Sequence, residues 1–465
     1  MQKKFKKSLF IFKRDLRSYD NTGLNLALKE SEKIITCFIF DPRQIEKNEY
    51  KGSNSIQFLV ESLEDLKKEL DTKNGKLYFF YGKHEEVIEK FILKEKIDAV
   101  YTNRDFTPFS KKRDLKIEQV CKNNSVSFVN TDDILLNSPE IIIEQKSKPY
   151  TVFTPFYKFA STLLIKETNK LAVGEFFIQP LDYEVKTAPE RFLEKTNTNI
   201  SCHGKRKNAL NILENINSFA SYDETRNNPS KDSTTHLSAY LKFGLCSPRE
   251  VFYSIKNILG ESHSMLRQLY WRDFFYHIAH FFPHVFGNPF NKKYDFIKWN
   301  DNKKTFELWC NGETGFPIVD AGMRELNATG YMHNRVRMIT ASFLIKDLHI
   351  DWRWGEKYFA QKLVDYDPAI NNGNWQWVAS TGCDAQPYFR IFNPWLQQEK
   401  FDSECLYIKK WIPELERIDS LKIHHLYKNP SHKIKNYPHP IVDHSAQAKI
   451  TKELYSQAIS EYLDS

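Results

Sequence analysis

Between Trp352 and Pro394 the chain collects side chains able to do chemistry. Asp365 and Asp367 stand two apart, followed by the amide pair Asn371-Asn372, the indoles Trp375 and Trp377, and a Thr381-Gly382 turn ahead of Pro387-Tyr388-Phe389-Arg390. Taken singly, a W-x-W is ordinarily core packing and a D-x-D a solvated turn or helix cap. Together they put carboxylates and amides into an aromatic stretch. Buried polar groups of that kind must be hydrogen-bonded, so their partner is either protein or a polar ligand ring. The indoles sharpen the point. All nine tryptophans (271, 299, 309, 352, 354, 375, 377, 395 and 411) fall between Trp271 and Trp411, and none precedes them. Rings at that density suit packing, base stacking or electron transfer, and their one-sided distribution implies two unlike domains.

The elements that must position these residues follow from periodicity. A length of 465 residues fits about three domains, or two with one large. Short apolar strands are expected at Leu9–Phe12, Ile34–Phe40, Leu77–Tyr81, Ala99–Thr102 and Val126–Val129, with amphipathic helices such as Ser55–Leu70 and His84–Lys94 between them. Strand and helix in alternation predict a Rossmann-like α/β domain with a parallel sheet over residues 1–133. Its first turn reads Lys13-Arg14-Asp15-Leu16-Arg17, without the G-x-G-x-x-G that cradles a dinucleotide pyrophosphate. Residues 134–205 lose periodicity and gather Pro139, Pro149, Pro155, Pro180 and Pro189, which predicts a connector with one helix near 156–166. From 206 to 465 the pattern is all-α, with helices expected at Ala209–Tyr222, Met265–Phe282, Ile318–Thr329 and Val336–Leu348.

Composition removes several classes. With 41% apolar and 14% aromatic residues the chain is not disordered. The net charge of +8 permits, without requiring, an electrostatic share in nucleic-acid binding. Seven scattered cysteines without a C-x-x-C pair give neither a disulfide framework nor a zinc knuckle, so no metal site is expected and a reducing, intracellular setting fits. Cytoplasm and nucleus are not distinguished. The apolar run Ser8–Phe12 is cut by Lys13 and Arg14 and reads as a strand rather than a signal peptide, and no run approaches the roughly 20 residues of a membrane span.

A set of ordered blocks spanning nearly the whole chain resembles the photolyase/cryptochrome flavoproteins. They are Lys13-Arg14-Asp15-Leu16-Arg17 with Asp20-Asn21, Thr234-Thr235-His236-Leu237-Ser238 with Tyr240-Leu241 and Gly244, and Trp271-Arg272-Asp273-Phe274. Further on stand Thr314 to Ala321, His333-Asn334-Arg335-Val336-Arg337-Met338, Asn371 to Trp377, and Tyr437 to His444. The resemblance implies an N-terminal α/β domain on the antenna side, a connector, and a C-terminal helical domain holding FAD. It further implies that Tyr222, Thr234, Thr235, His236, Leu237 and Ser238 hold the FAD phosphates and adjoining parts. Hydroxyls and backbone N–H groups at a helix start suit an anion, although the same residues could be a simple helix cap. Asp365, Tyr366 and Asp367 would line the isoalloxazine, with Arg337 pairing Asp365 and Asn371 facing flavin N5. An amide there is compatible with holding the reduced anion FADH⁻, the active form, because it bonds N5 without supplying an acidic proton.

By the same resemblance Trp375, Trp352 and Trp299 form an electron-transfer chain that photoreduces FAD, while Trp271 and Trp377 pack against a flipped-out lesion. Trp309, Trp354, Trp395 and Trp411 are left as core or surface aromatics. The block His333 to Met338 carries Met338 where enzymes for (6-4) photoproducts have a second histidine, which is the class I cyclobutane-dimer pattern. Met contacts a pyrimidine dimer through its thioether and cannot donate a proton. Three positions depart from the family: Gln268 replaces a usual Glu, Met265 a usual aromatic and Tyr331 a usual Trp. Gln268 can still hydrogen-bond a thymine edge but cannot stabilise positive charge or relay a proton. Arg226, Arg272, Arg335, Arg390 and Lys400 are candidates for phosphate contact, and Asn334, Arg335 and Gln397 match DNA-contacting positions.

The function implied is light-driven repair of cyclobutane pyrimidine dimers in ultraviolet-damaged DNA, with a folate (methenyltetrahydrofolate) or deazaflavin antenna near Asn103, Arg104 and Asp105, and with the protein acting as a monomer without an obligate protein partner. A (6-4) photolyase and a cryptochrome-type blue-light receptor are the alternatives. The second is disfavoured by the short stretch after Pro440-Ile441-Val442-Asp443-His444. An NAD(P)H-using flavin oxidoreductase is disfavoured by the missing glycine fingerprint.

Overall fold

The computed structural model describes residues 3–46, 48–143, 148–185, 189–428 and 434–465. Five parallel strands, β1 (Phe5–Phe12), β2 (Ser31–Phe40), β3 (Leu77–Tyr81), β4 (Ala99–Asn103) and β5 (Ser127–Thr131), lie in the order β3-β2-β1-β4-β5. Leu9 pairs in register with Ile35 on one side and Val100 on the other. Alternate residues of β1 enter different cores, because side chains alternate across a sheet. Phe10 and Phe12 pack with Leu24, Leu28 and Leu63 from the helices Thr22–Glu30 and Ser53–Asp71. Leu9 and Ile11 pack with Ile88, Phe91 and Ile117 from His84–Glu95 and Pro108–Asn123. Burial on both faces explains why these strands are nearly continuous apolar runs. The expected strand at Val126–Val129 is displaced by one residue, since Ser125 takes a positive φ of 54° and the ladder opens at Ser127.

The sheet order reverses between β1 and β4, and the crevice at their C-terminal ends is where such folds bind ligands. Here the helical part fills it. Leu16 N–H donates to the Phe243 carbonyl (3.0 Å), Arg17 Nη1 to the Gly244 carbonyl (3.2 Å) and Arg14 Nε to the Lys242 carbonyl (3.1 Å). Gly244 has φ +70°, and a Cβ there would run into the Arg14 carbonyl and Asp15 Cα. The absence of a glycine-rich phosphate loop in the first turn therefore has a structural counterpart: that turn grips another part of the chain.

The connector is more ordered than its prolines predict. It forms helices Pro139–Ile143 and Phe153–Ala160, the latter earlier than the expected 156–166, and a short strand β6 (Glu175–Phe176) that adds to β2 beside Lys33 and Ile34. It then crosses β3, where Val185 N–H donates to the Phe79 carbonyl. Beyond it, the helix expected at Ala209–Tyr222 breaks into Arg206–Glu214, a 3₁₀ turn Ile216–Phe219 and a short helix Tyr222–Thr225. The one expected at Val336–Leu348 divides into an α-helix Asn334–Ser342 and a π-helical turn Phe343–Asp347. Ser264–Phe281 and Pro317–Thr329 form nearly as expected. No helix of the described residues is long and apolar enough to cross a membrane.

Candidate functional site

The helix Pro368–Ala379 carries Asn371, Trp375 and Trp377. Asp367 starts it, accepting from the N–H groups of Ala369 (3.0 Å) and Ile370 (3.3 Å), with Pro368 in the first turn. The other carboxylate oxygen of Asp367 takes the Tyr276 hydroxyl (2.5 Å) and the Arg14 guanidinium, and Arg14 also meets Asp105 (3.4 Å). Burial alone raises the Asp367 carboxyl, but Arg14, Lys242 and Arg272 outweigh it and hold the group below the usual carboxylate range. Asp367, expected to line the isoalloxazine, therefore has both oxygens engaged in capping the helix and joining it to the α/β part. Asp365 pairs with Arg337 as expected (3.0 and 3.2 Å), and Arg337 is anchored by its Nε donating to the Met332 carbonyl. Tyr366, between the two, lies 6.3 Å from Tyr50 in a near-parallel stack.

Asn371 is buried and donates to the Glu356 carbonyl (3.0 Å). The Glu356 carboxyl, bonded to Tyr50 and Asn371, is pushed by burial up to about 7. The hydroxyl-rich loop meets this region through Tyr331, over whose ring Arg337 lies. Thr234 Oγ1 is 3.4 Å from the Tyr331 hydroxyl, Thr235 Oγ1 accepts from Leu237 N–H (3.5 Å), and His236 (φ +52°) lies tilted against the Tyr331 ring at 4.4 Å while its Nε2 meets Asp232 (2.8 Å). Leu237 is buried and Ser238 exposed at the start of a six-residue helix. Arg226 lies over the Tyr222 ring. Burial first, then Arg337, His236 and Arg335, push the His333 imidazole down to about 4, and among the described residues Arg226 and Arg335 have no carboxylate partner. Among the described residues, His333 Nε2 and Ser233 Oγ are buried without a hydrogen-bond partner. A loop of hydroxyls with orphaned polar atoms and surplus cations fits the pyrophosphate of FAD.

The three indoles of the expected chain share one core, Trp375 and Trp352 buried within it and Trp299 packed against it. Trp375 is buried, and its six-membered ring lies so close to Gly355 that a Cβ there would overlap it. Gly355 is one turn past Trp352 on the helix Trp352–Lys362. Trp352 is fully buried, and its Nε1 has no partner among the described residues. Trp299 is half-buried and is held beside this layer by a bridge from Asn300 to Ile350, two residues before Trp352. Trp309, left unassigned from sequence, proves to be fully buried and in edge contact with Trp375 (6.3 Å), its Nε1 donating to the Thr340 carbonyl.

The positions expected to meet DNA divide. Asn334 is exposed and Met338 half-buried one turn along the same helix, with Asn334 Nδ2 3.8 Å from the Met338 sulfur. Arg335 lies over the Phe401 ring and bonds to Asn227 (2.8 Å). Gln268, Trp271, Trp377 and Gln397 are half-buried. One face of Trp271 is covered by Phe153 of the connector (3.6 Å, 7°). Arg272 departs from expectation. It is buried, donates to the Ile134 carbonyl (2.5 Å) and lies over the Tyr276 ring, so its guanidinium belongs to the domain contact rather than to a phosphate. Arg390 is exposed, as is Lys400.

The antenna-side trio is likewise internal. Asn103 bonds Asp15 (2.5 Å), Asn21 and Gly23; Arg104 pairs with Asp132 and Glu140; Asp105 takes Ser110 (3.0 Å) and Arg14. Sequence reasoning missed Arg14, Tyr276, Lys242 and Glu356 as neighbours of the site. Arg14 sat inside a recognised block, but its partner lies 353 positions away, a distance no local pattern carries.

The sequence profile of the DNA photolyase family matches residues 8–172, and that of the FAD binding domain of DNA photolyase matches residues 265–457. The deoxyribodipyrimidine photo-lyase of Alkalihalophilus pseudofirmus is 37% identical over 94% of this chain and 95% of its own. The archaeal photolyase of Sulfolobus tokodaii, solved with two FAD molecules and described as implying a novel light-harvesting cofactor, superposes with a TM-score of 0.89 at 43% identity, over 97% of this chain and 100% of that one. The cryptochrome of Synechocystis gives the same TM-score at 28% identity, over 98% of this chain and 100% of that one, so fold alone does not separate the two activities but identity favours the photolyases. With matched profiles over both parts and a relative this similar over nearly its full length, the chain belongs to the DNA photolyase family.

Proposed function

We propose that this protein is a light-driven lyase for cyclobutane pyrimidine dimers in DNA. The single observation that carries the reading is the row of contacts that joins the hydroxyl loop to the start of the Asn371 helix: Thr234 Oγ1 lies 3.4 Å from the Tyr331 hydroxyl, and Arg337 lies over the Tyr331 ring and pairs with Asp365, two residues before the capping Asp367. Bound reduced FAD supplies a photoexcited electron that splits the dimer and is then returned.

The residues do the rest. The Thr234 and Thr235 hydroxyls, with Arg226 and Arg335 nearby, hold and neutralise phosphate. Arg337 fixes Asp365 at the edge of the ring site, and Asn371, held through the Glu356 carbonyl, offers an amide without an acidic proton. The dimer must leave the duplex to reach that site, and a damaged base pairs and stacks poorly, so its extrusion costs less than that of a normal base. Trp271 and Trp377 offer aromatic faces to the extruded pair, and the thioether of Met338 offers a soft contact in place of a proton donor. Trp375, Trp352 and Trp299 form the path by which oxidised flavin is recharged with electrons from the surface. For the antenna, the two flavins of the Sulfolobus tokodaii relative add a second FAD to folate and deazaflavin.

The test is to mix purified protein containing reduced FAD with ultraviolet-irradiated oligothymidine, illuminate with blue light, and follow recovery of thymine absorbance. Light-dependent recovery is expected. No recovery sinks the reading, and recovery only of DNA carrying (6-4) products reassigns the substrate.

A further inference from the structure

Arg267 is an exposed cation that the rest of the chain leaves unused: among the described residues it forms no ion pair and no hydrogen bond. Its guanidinium lies over two rings of the connector helix Phe153–Ala160, 5.3 Å from the centre of Phe153 and 5.2 Å from that of Tyr157. Those rings are themselves stacked, 5.8 Å apart with 17° between their planes. Phe153 in turn lies parallel to Trp271 at 3.6 Å. Ring faces attract a cation and hold it in place without using its N–H donors, which stay free for an anion. An arginine placed in this way has already lost part of its rotamer freedom, so an anion that arrives later has less ordering to oppose it.

The surroundings indicate which anion. Arg267 stands one turn before Trp271 on the helix Ser264–Phe281, about 6 Å along its axis, and next to Gln268. Phe153 covers one face of Trp271, which leaves the other face for an extruded base. A nucleotide whose base packs there carries its phosphate at the backbone end, within reach of a long side chain one turn away. Arg272, the phosphate candidate that the sequence offers on this helix, is turned inward to the Ile134 carbonyl. Arg267 is the arginine of the same helix that remains exposed. Its planar fork of donors matches a pair of phosphate oxygens.

We propose that Arg267, propped on Phe153 and Tyr157, binds a backbone phosphate of the strand that carries the dimer, beside the point of extrusion. The inference rests on the lesion-binding role of Trp271 in the proposed function. It makes the connector part of the DNA-binding surface, through rings that position a cation belonging to the helical domain.

The experiment is a salt series of binding titrations in the dark, on the full-length, FAD-loaded protein, with ultraviolet-irradiated oligothymidine used both single-stranded and annealed to oligodeoxyadenosine. Arg267→Met keeps an unbranched stem over the rings and removes the charge, whereas Arg267→Lys keeps the charge. For Arg267→Met the salt slope is expected to fall by about 0.7 on single strands and about 0.9 on duplex, the value of one phosphate contact in each, with FAD content and the urea midpoint unchanged. Arg267→Lys is expected to keep the wild-type slope and bind more weakly, because an ammonium lacks the two-pronged contact. A slope that Arg267→Met leaves unchanged on both substrates, while irradiated DNA is still preferred, overturns this proposal alone. A fall on duplex only puts the phosphate on the opposite strand and overturns the assignment to the damaged one. A slope lost equally in Arg267→Lys, or lost only together with the urea midpoint, makes Arg267 a packing residue and also overturns the proposal. Wild-type protein that binds irradiated and unirradiated DNA alike overturns the lesion reading itself, and this proposal with it.

Discussion

The protein has two polar centres of opposite construction. At the C-terminal ends of β1 and β4, charge is matched inside the chain: Arg17 with Asp133 (2.6 Å), Arg249 with Asp20 and Asp133 (both 2.8 Å), Lys13 with Asp114 (3.2 Å), and Arg14 with Asp367. Around Thr234, His333 and Arg335 the charge is matched only in part: His236 meets Asp232 and Arg337 meets Asp365, while Arg226 and Arg335 have no carboxylate partner among the described residues. Ser233 Oγ and His333 Nε2 have no partner among the described residues, and burial together with Arg226 lowers the Arg335 guanidinium from its ordinary value. The first centre lies where α/β folds of this topology bind nucleotides, and it has become the seam between two halves of the molecule. The second lies on a helical scaffold and has the unmet demand expected of a binding site. Nucleotide chemistry has thus moved from the sheet to the helices, and the difference is visible in which polar groups lack partners.

Breaking the seam should have the largest effect. Arg14→Met leaves the Asp367 and Asp105 carboxylates buried without their shared cation, a loss of about 3–5 kcal/mol for a broken buried pair. It also loosens the cap of the helix that carries Asn371 and Trp375, so both the urea midpoint and FAD retention should fall. An unchanged midpoint would show that the Arg14–Asp367 pair does not hold the halves together.

The seam also makes a pH prediction. Burial pushes the Asp273 carboxyl up to about 7, against Arg272 and the amides of Leu136 and Asn137. A folded value above the unfolded one favours the protonated form. The group's stabilising contribution is therefore complete below about pH 4 and is lost as pH rises towards 7, at up to about 1.4 kcal/mol per pH unit. Asp273→Asn keeps an acceptor for the Leu136 amide and should flatten that decline between pH 5 and 7, as read from denaturant midpoints. An equally steep decline in the variant would assign it to other groups.

Two arginines then separate the centres. Arg335→Ala should weaken binding to ultraviolet-damaged DNA across all sequences and lower the salt slope of binding by about one unit. Arg272→Met should leave that slope unchanged and instead reduce stability, by about 1.5–3 kcal/mol for a lost charged hydrogen bond. Binding titrations over a salt series test both, and equal slopes for the two variants would erase the distinction. The smallest effect is expected at Gln268, whose side chain makes, among the described residues, only a 3.4 Å bond to the Ser264 carbonyl. Gln268→Glu should raise the quantum yield of dimer repair slightly. An unchanged yield would show that the amide is not limiting.

The α/β half was legible because parallel strands buried on both faces must be apolar throughout and because the helices between them must carry an apolar stripe. The connector was not, because its order comes from contacts distant in sequence, such as β6 on β2 and Phe153 on Trp271. The pairing of Arg337 with Asp365 was anticipated through the family resemblance. Asp367 was assigned to the flavin ring and Arg272 to a phosphate because residue type shows that a side chain is charged, not where its partner lies.

By itself the sequence determined the apolar periodicities, the clustering of indoles beyond residue 270 and the presence of a hydroxyl loop and an amide pair, all properties of neighbours along the chain. Only the tertiary structure decided which charges are spent on the seam and which remain for a ligand, and which ring touches which. Burial, pairing and ring contact depend on groups brought together from hundreds of positions apart, and desolvation, which makes a partner obligatory, acts only once they are packed.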